Sequence, residues 1–471
     1  MTQPKLSFYF YLIVIFLFIG ITSMSLFSEG MFMDGLLYSA ISNNMANGLG
    51  SFWQPYLSNS IFPEFYEHPP LAIGLQSLWF SLFGDSVLVE RFYSLFTYLL
   101  TGIGLVSVWV QLGKSIKTGW IPLFFWLMVS NVIWAVSNNM LENTMAIFVI
   151  FSAWSYLKGI QKQNFLFIIL AGFLLSLGFL TKGFVCLYIW AFPLGMYICT
   201  KKITITKAIY HTLILVTSTL LPFLFLYLFS EAANHNLTSY FNKQVMGSIK
   251  NVSNVDTRFS IIMEFFQHII LPLSIAILVL IIAKVKKQNL NGIKENKKTI
   301  YLLTFILMCG ILPIMVSMKQ RGFYILTVYP FFGLILGLIT LPIAEKILIK
   351  WGSKYLVRLI IKGFTVLFII ASVTLSVFQI GTTKRDILEV KDSKLVVEFI
   401  GPNQSIDICH SQYGNWSKHG YYARYGNITL ERKDEKNQEW FLVNEGECSP
   451  DLNLYEESPL KLFMHKLYHK K

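Results

Sequence analysis

The feature that most constrains this chain is the recurrence of apolar windows about 20 residues long. That is the length a helix needs to cross roughly 30 Å of hydrocarbon at about 1.5 Å per residue. Such windows fall at 7–27, 89–111, 119–136, 144–157, 164–180, 184–200, 208–229, 263–283, 299–316, 322–342 and 363–380. They predict an α-helical polytopic membrane protein with about 11–13 transmembrane helices. With 54% hydrophobic and 14% charged residues, the chain has too little polar surface for a water-soluble globule. The first window, "LSFYFYLIVIFLFIGITSMSLF", lacks an early basic cluster and a small-residue cleavage site. It therefore reads as an uncleaved span.

The formal charge of +13 raises the question of nucleic acid, which the placement of the charges answers. With the N-terminus in the cytoplasm, the inner segments collect 19 Lys and Arg, six of them in "KVKKQNLNGIKENKK". The outer segments before residue 384 hold only Arg91, Lys182, Lys243, Lys250, Arg258, Lys319 and Arg321. This is the positive-inside pattern, so the charge reports topology in a plasma (inner) membrane and no nucleic-acid partner is expected. Two domains are predicted: a transmembrane domain over 1–383, with a first outer loop at 28–88, and an extracytoplasmic domain over 384–471.

The first outer loop is unusual. No Lys or Arg occurs between Lys5 and Arg91, while Glu29, Asp34, Glu64, Glu67, Asp85 and Glu90 all do. After Asp34, the spacing of Leu36, Leu37, Ala40, Ile41 and Met45 against Ser42, Asn43 and Asn44 predicts a helix lying on the membrane surface. A second short helix is expected after "HPP", where proline suits a first turn. Asp34, "FYEHPPL", Glu142 in "NNMLENTMAIF", "FLTKGF" and "SMKQRGFYILTVYP" all fall at outer ends of spans. Ionisable groups at that depth are costly unless paired or wet, and together they would line an outward-facing pocket. Its carboxylates suit proton abstraction and its cations suit a phosphate. Trp53, Tyr56, Phe65, Tyr66 and Trp79 would suit a sugar or isoprenoid chain, or else form an interfacial aromatic belt.

The order "MDGLLYSAISNNMANG", "FYEHPPL", "LFGDSVLVERFYSL", "LGFLTKG" and "KQRGFYILTVYPFFGL" resembles the polyprenyl-phosphate-dependent glycosyltransferases of family 39. These belong to the glycosyltransferase C superfamily and include aminoarabinose transferases and protein O-mannosyltransferases. The resemblance covers roughly residues 7–345. It implies an enzyme that moves a sugar from a polyprenyl-phosphate donor to an envelope glycolipid such as lipid A, a polysaccharide or a protein. Asp34 matches the family's general base, and Glu67 and Glu142 match two further acids. Lys182, Lys319 and Arg321 match the cations that hold the donor phosphate, with His68 and Tyr324 completing the substrate-binding set. Two departures stand out: Gly35 replaces a common second acid, and His68 replaces a lysine, substituting a group that titrates near neutrality. The stretch from 6 to 90, free of cations, leaves Asp34 unquenched as a base.

A transporter or flippase for a lipid-linked intermediate is the alternative, although such folds often carry repeats and mid-membrane charges that this chain lacks. No cofactor or metal is expected. Glu67, His68, His235 and His268 could be imagined around an ion, but no metal-ligand spacing supports it. Cys186, Cys199 and Cys309 fall in spans, whereas Cys409 and Cys448 fall in the tail, either disulfide-linked or free. Tail strands are predicted at "QSIDICH", "GNITLER" and "EWFLVNE", making a small mixed α/β or β-rich unit. "YGNWSKHGYYARYG" is either structural or an acceptor-contacting surface, and sequons occur at Asn236, Asn251, Asn415 and Asn427.

Overall fold

The computed structural model describes residues 3–247, 253–288, 290–432, 438–444 and 446–471. Lys250 and the Asn251 sequon lie outside the described residues. Among those described, eight helices are long and apolar enough to cross a membrane. Ile116–Leu127 and Ser130–Val136, bent by 84°, together are apolar enough for a ninth.

The other two predicted windows are also helical but less regular. Leu141–Lys162 is one 22-residue helix whose first turn carries Glu142. The 184–200 window is assembled from a 3-10 segment, a single α turn containing Pro193 and a π segment. Its proline removes a donor and its ring crowds the preceding turn, so a regular helix does not persist there. The long element Gly322–Gly352 is central, with 89% of its apolar window buried. Ile205–Phe229 and Tyr355–Val377 lie at the periphery with 11% buried, leaving their apolar faces for lipid.

The first loop contains both expected helices, Met33–Ala46 and Leu71–Phe83. One expectation fails. Helix Met33–Ala46 is buried from Gly35 through Asn44, so Ser42, Asn43 and Asn44 do not form a wet face. Ser42 Oγ donates to Gln76 Oε1 at 3.2 Å, and Asn44 Nδ2 donates to the Leu57 carbonyl at 2.9 Å. The chain's own tail covers this helix, with Gly420 against Leu36. Buried amides and hydroxyls are tolerated there because of such partners.

The tail builds a five-stranded sheet from β1 Ser405–Ile408, β2 Thr429–Arg432, β3 Trp440–Asn444, β4 Tyr455–Glu457 and β5 His465–Lys470. The order is β2-β1-β3-β5-β4, with β1 parallel to β2 and β3 and the remaining pairs antiparallel. Helix Trp416–Gly426 makes the crossover from β1 to β2. Its tyrosines 421 and 422 are fully buried, so this part of the aromatic motif packs the interior. Cys409 and Cys448 are joined as a disulfide. A buried polar chain fastens helix to sheet: Lys418 Nζ lies 2.8 Å from His465 Nε2, and His465 Nδ1 lies 2.8 Å from Asp392 Oδ2. The Asn236 sequon is buried, with Nδ2 donating to the Trp53 carbonyl at 2.9 Å.

Tail and first loop sit on the same side of the bundle. Arg424, 2% exposed at its side chain, is paired with Asp85 and with Glu90 Oε2, the latter at 3.0 Å. Ser60 Oγ donates to the Leu430 carbonyl at 2.6 Å. Arg424→Ala would leave buried Glu90 without its ion-pair partner, a loss of about 3–5 kcal/mol. Thermal unfolding of the detergent-solubilised protein should register that loss, and limited proteolysis should cut the tail faster than in wild type.

Candidate functional site

Asp34 enters the site from the first turn of helix Met33–Ala46. The backbone leading to it is pinned by the segment before Glu142: Asn138 Oδ1 accepts from the Phe32 N–H at 2.8 Å. Asn139 Nδ2 donates to Ser39 Oγ at 3.0 Å and to Gln76 Oε1 at 3.1 Å. Gly35 is the point of closest approach. A Cβ there would stand 1.8 Å from the Asn138 carbonyl oxygen, so no side chain fits at this position without a shift of backbone.

Four further segments converge on Asp34. Helix Phe165–Lys182 ends at Lys182, whose Nζ lies 2.6 Å from Glu142 Oε1. Both side chains are buried, at 5% and 0% exposed. The Lys182 ammonium also stands 5.0 Å from the Phe323 ring and 5.4 Å from the Tyr324 ring, a cation over two aromatic faces. The segment bearing Lys319 and Arg321 is held by the buried Gln320 between them. Gln320 Oε1 accepts from the Ile261 N–H at 2.8 Å, and its Nε2 donates to the Arg258 carbonyl at 3.0 Å. Lys319 is half-buried and Arg321 exposed, and neither forms an ion pair among the described residues.

The electrostatics differ from the sequence expectation. Cations do reach Asp34, since Lys182, Arg321 and Lys319 all act on it and pull its carboxyl down. Burial is the larger influence and holds the group above its ordinary carboxylate range. Glu67 is also raised by burial, opposed by Lys319 and Lys182 and reinforced by the Asp34 charge. His68 does not act as a group poised near neutrality. Burial, assisted by Lys182 and Lys319, drives its imidazole well below the usual value, so the ring is neutral. It packs edge-on to Tyr38 and Phe65, with centroids at 5.9 Å and 6.3 Å.

Asp34, Glu67, Glu142, His68, Lys182, Lys319, Arg321 and Tyr324 therefore gather in one region. Of the expected aromatics, Phe65 is in the local core and Trp79 stacks with Phe83 and Phe96 along a separate apolar groove. Tyr38 was missed by sequence reasoning. It lies fully buried within the field of Asp34, Glu142 and Glu67. The signal was its position one helical turn after Asp34, which places both on one face. The imagined metal ligands have other neighbours: His235 packs on Tyr66 at 5.3 Å, and His268 Nε2 lies 3.1 Å from Glu264. Among the described residues, no group of three His, Cys, Asp or Glu side chains could hold an ion.

Residues 67–227 match the family model described as dolichyl-phosphate-mannose-protein mannosyltransferase. Across the fold, the chain is similar to ArnT from Cupriavidus metallidurans in the apo state, with a TM-score of 0.66 and 12% identity over 97% of this chain and 96% of that one. The same protein bound to undecaprenyl phosphate gives a TM-score of 0.64 at 12% identity, over 97% of each chain. An apo oligosaccharyltransferase from Archaeoglobus fulgidus gives 0.53 at 9% identity, over 93% of this chain and 69% of that one. No curated protein sequence matches the chain.

The Lys182–Glu142 pair makes a clean stability test. Lys182→Met alone strands a buried carboxylate and should cost about 3–5 kcal/mol, whereas adding Glu142→Gln should restore much of it. Equal destabilisation by the single and double variants would show that the two residues are not coupled.

Proposed function

We propose that this chain, which has a glycosyltransferase C fold, moves a sugar from a polyprenyl-phosphate donor to an envelope acceptor on the extracytoplasmic face. The observation that carries the reading is the convergence of a raised, solvent-reaching carboxylate, Asp34, with Lys182, Lys319 and Arg321 at one end of the helix bundle. ArnT with undecaprenyl phosphate supplies the lipid-phosphate precedent. The excess of lysine in the opposite loops supports the sidedness.

In this reading Asp34 takes the proton from the acceptor hydroxyl while that oxygen attacks the anomeric carbon. The bond from that carbon to the donor phosphate breaks, and the lipid phosphate leaves with its electron pair. Lys319 and Arg321, which form no ion pair among the described residues, meet the growing charge on the phosphate. Lys182 adds to that field from a position that its contact with Glu142 fixes. Glu142 is thus a positioning residue. Glu67 and Tyr324 border the sugar, and neutral His68 offers hydrogen bonding without charge. A transporter would place its charged groups on broken helices near mid-membrane, whereas Glu142 opens one helix and Lys182 closes another beneath the loop platform.

Reconstituted with polyprenyl-phosphate sugars and envelope extracts, wild type should transfer sugar, and Asp34→Asn should lose about 100- to 10,000-fold in rate. Full transfer by the variant would remove Asp34 as the base. Mass spectrometry of envelope glycolipids and glycoproteins from cells with and without the gene should reveal one species lacking a sugar, naming the acceptor.

The pH dependence has a definite sign. Burial raises Asp34, so its base form is lost as pH falls through a value above the ordinary carboxylate figure of about 4. The acid limb of kcat/KM should therefore lie above that figure and vanish in Asp34→Asn residual activity. A limb at or below it would contradict the buried setting.

A further inference from the structure

Where the tail meets the first loop there is a cleft of about 910 Å³, separate from the Asp34 region. It exists only because two distant segments come together: the end of helix Met33–Ala46 with the loop after it, and the turn around helix Trp416–Gly426. Its wall is dominated by amides, Asn43, Asn47, Asn59, Asn403 and Asn427, together with Tyr56.

Three observations define what this cleft can hold. The first is charge. Asp85 and Arg424 are the acid and base on its wall, and they are paired with each other, with Glu90 also on Arg424. No unpaired cation remains among the described lining residues to attract a phosphate or a carboxylate. The second is hydrogen-bonding capacity. Asn59 Oδ1 accepts from the Tyr56 hydroxyl at 3.1 Å, and Asn403 Oδ1 accepts from Asn427 Nδ2 at 2.8 Å. This leaves the amide N–H groups of Asn59 and Asn403 without a protein acceptor among the described residues. Asn47 is the complement: its Nδ2 donates to the Asn43 carbonyl at 3.0 Å, leaving its oxygen as an acceptor. The wall therefore offers both donors and acceptors and no unpaired cation, a combination that hydroxyl groups, each both donor and acceptor, satisfy. The third is shape. Gly48 and Gly50 sit at φ of +80° and +75° on this wall, where the turn after the helix requires them. Tyr56 and Tyr425 line the wall beside them.

A neutral, polyhydroxylated ligand matches all three. Asp34 and Asn47 lie on one continuous stretch of helix and its cap, 13 residues apart, which corresponds to about 20 Å. We propose that this cleft binds the neutral oligosaccharide portion of the acceptor, holding it roughly 20 Å from the reacting hydroxyl at Asp34. The inference rests on the glycosyl-transfer reading for the word acceptor; the recognition of a neutral glycan rests on the cleft alone. It selects acceptors that carry several sugar residues, since a single sugar cannot occupy both points.

The test uses full-length protein in a detergent without a sugar headgroup. The probes are linear neutral tetrasaccharides of glucose, mannose and N-acetylglucosamine, read by saturation-transfer NMR. At least one should bind wild type and Asp34→Asn alike, because the cleft is remote from the base. Asn47→Ala combined with Asn59→Ala, two exposed positions outside the catalytic region, should weaken that binding at least tenfold while the thermal midpoint stays at the wild-type value. Absence of binding by every tetrasaccharide, or unchanged binding in the double variant, would overturn the proposal. A parallel assay with polyprenyl-phosphate sugars reads the transfer reaction independently. Binding without transfer by wild type would leave the glycan cleft and remove the enzymatic reading.

Discussion

A lysine and a glutamate almost shut off from water can both stay charged only if each neutralises the other, and the Lys182–Glu142 pair meets that condition at the join of two helices. The rest of the region is arranged around it. The segment preceding Glu142 bonds to the start of helix Met33–Ala46 and so aims Asp34. The rings of Phe323 and Tyr324 cover Lys182, which ties the segment carrying Lys319 and Arg321 to the same point. One desolvated ion pair thereby couples four parts of the chain that lie far apart in sequence.

Asp34 illustrates how opposing effects are balanced. Three cations favour its ionised form, and burial beneath the platform disfavours it more strongly. A carboxylate surrounded by cations in open water would be too weak a base to take a hydroxyl proton. Under the proposed glycosyl transfer, desolvation restores basicity without removing the charges that a departing phosphate needs. The same burial acts oppositely on His68, since it penalises whichever form is charged and so leaves the imidazole neutral.

Much of this architecture was legible in the residues. The apolar windows anticipated the helices, and the spacing after Asp34 and after the double proline located both platform helices. Strands β1, β2 and β3 were visible as β-branched and aromatic runs, whereas β4 and β5 were not. β5 reads as "HKLYHK", in which charged and ring side chains disguise an alternating strand that buries His465 and Leu467. The motif residues of the site were found by resemblance, but Tyr38 and Gln320 were not. Their importance lies in what packs around them, which no local pattern encodes.

By itself, the amino-acid sequence determined that the chain lives in a membrane, because transfer of roughly 20 apolar residues into hydrocarbon depends on composition and length alone. It also determined where the ionisable groups fall along that axis. Only the tertiary structure decided which of them meet. It paired Glu142 with Lys182, brought cations to an Asp34 whose own neighbours carry none, and left no space beyond the α-carbon of Gly35. It also laid the tail over the loop, turning an apparently wet helix face into an interior and opening a cleft beside it. Those outcomes depend on distances between segments that are not neighbours in the sequence, and burial, pairing and steric fit are properties of such distances.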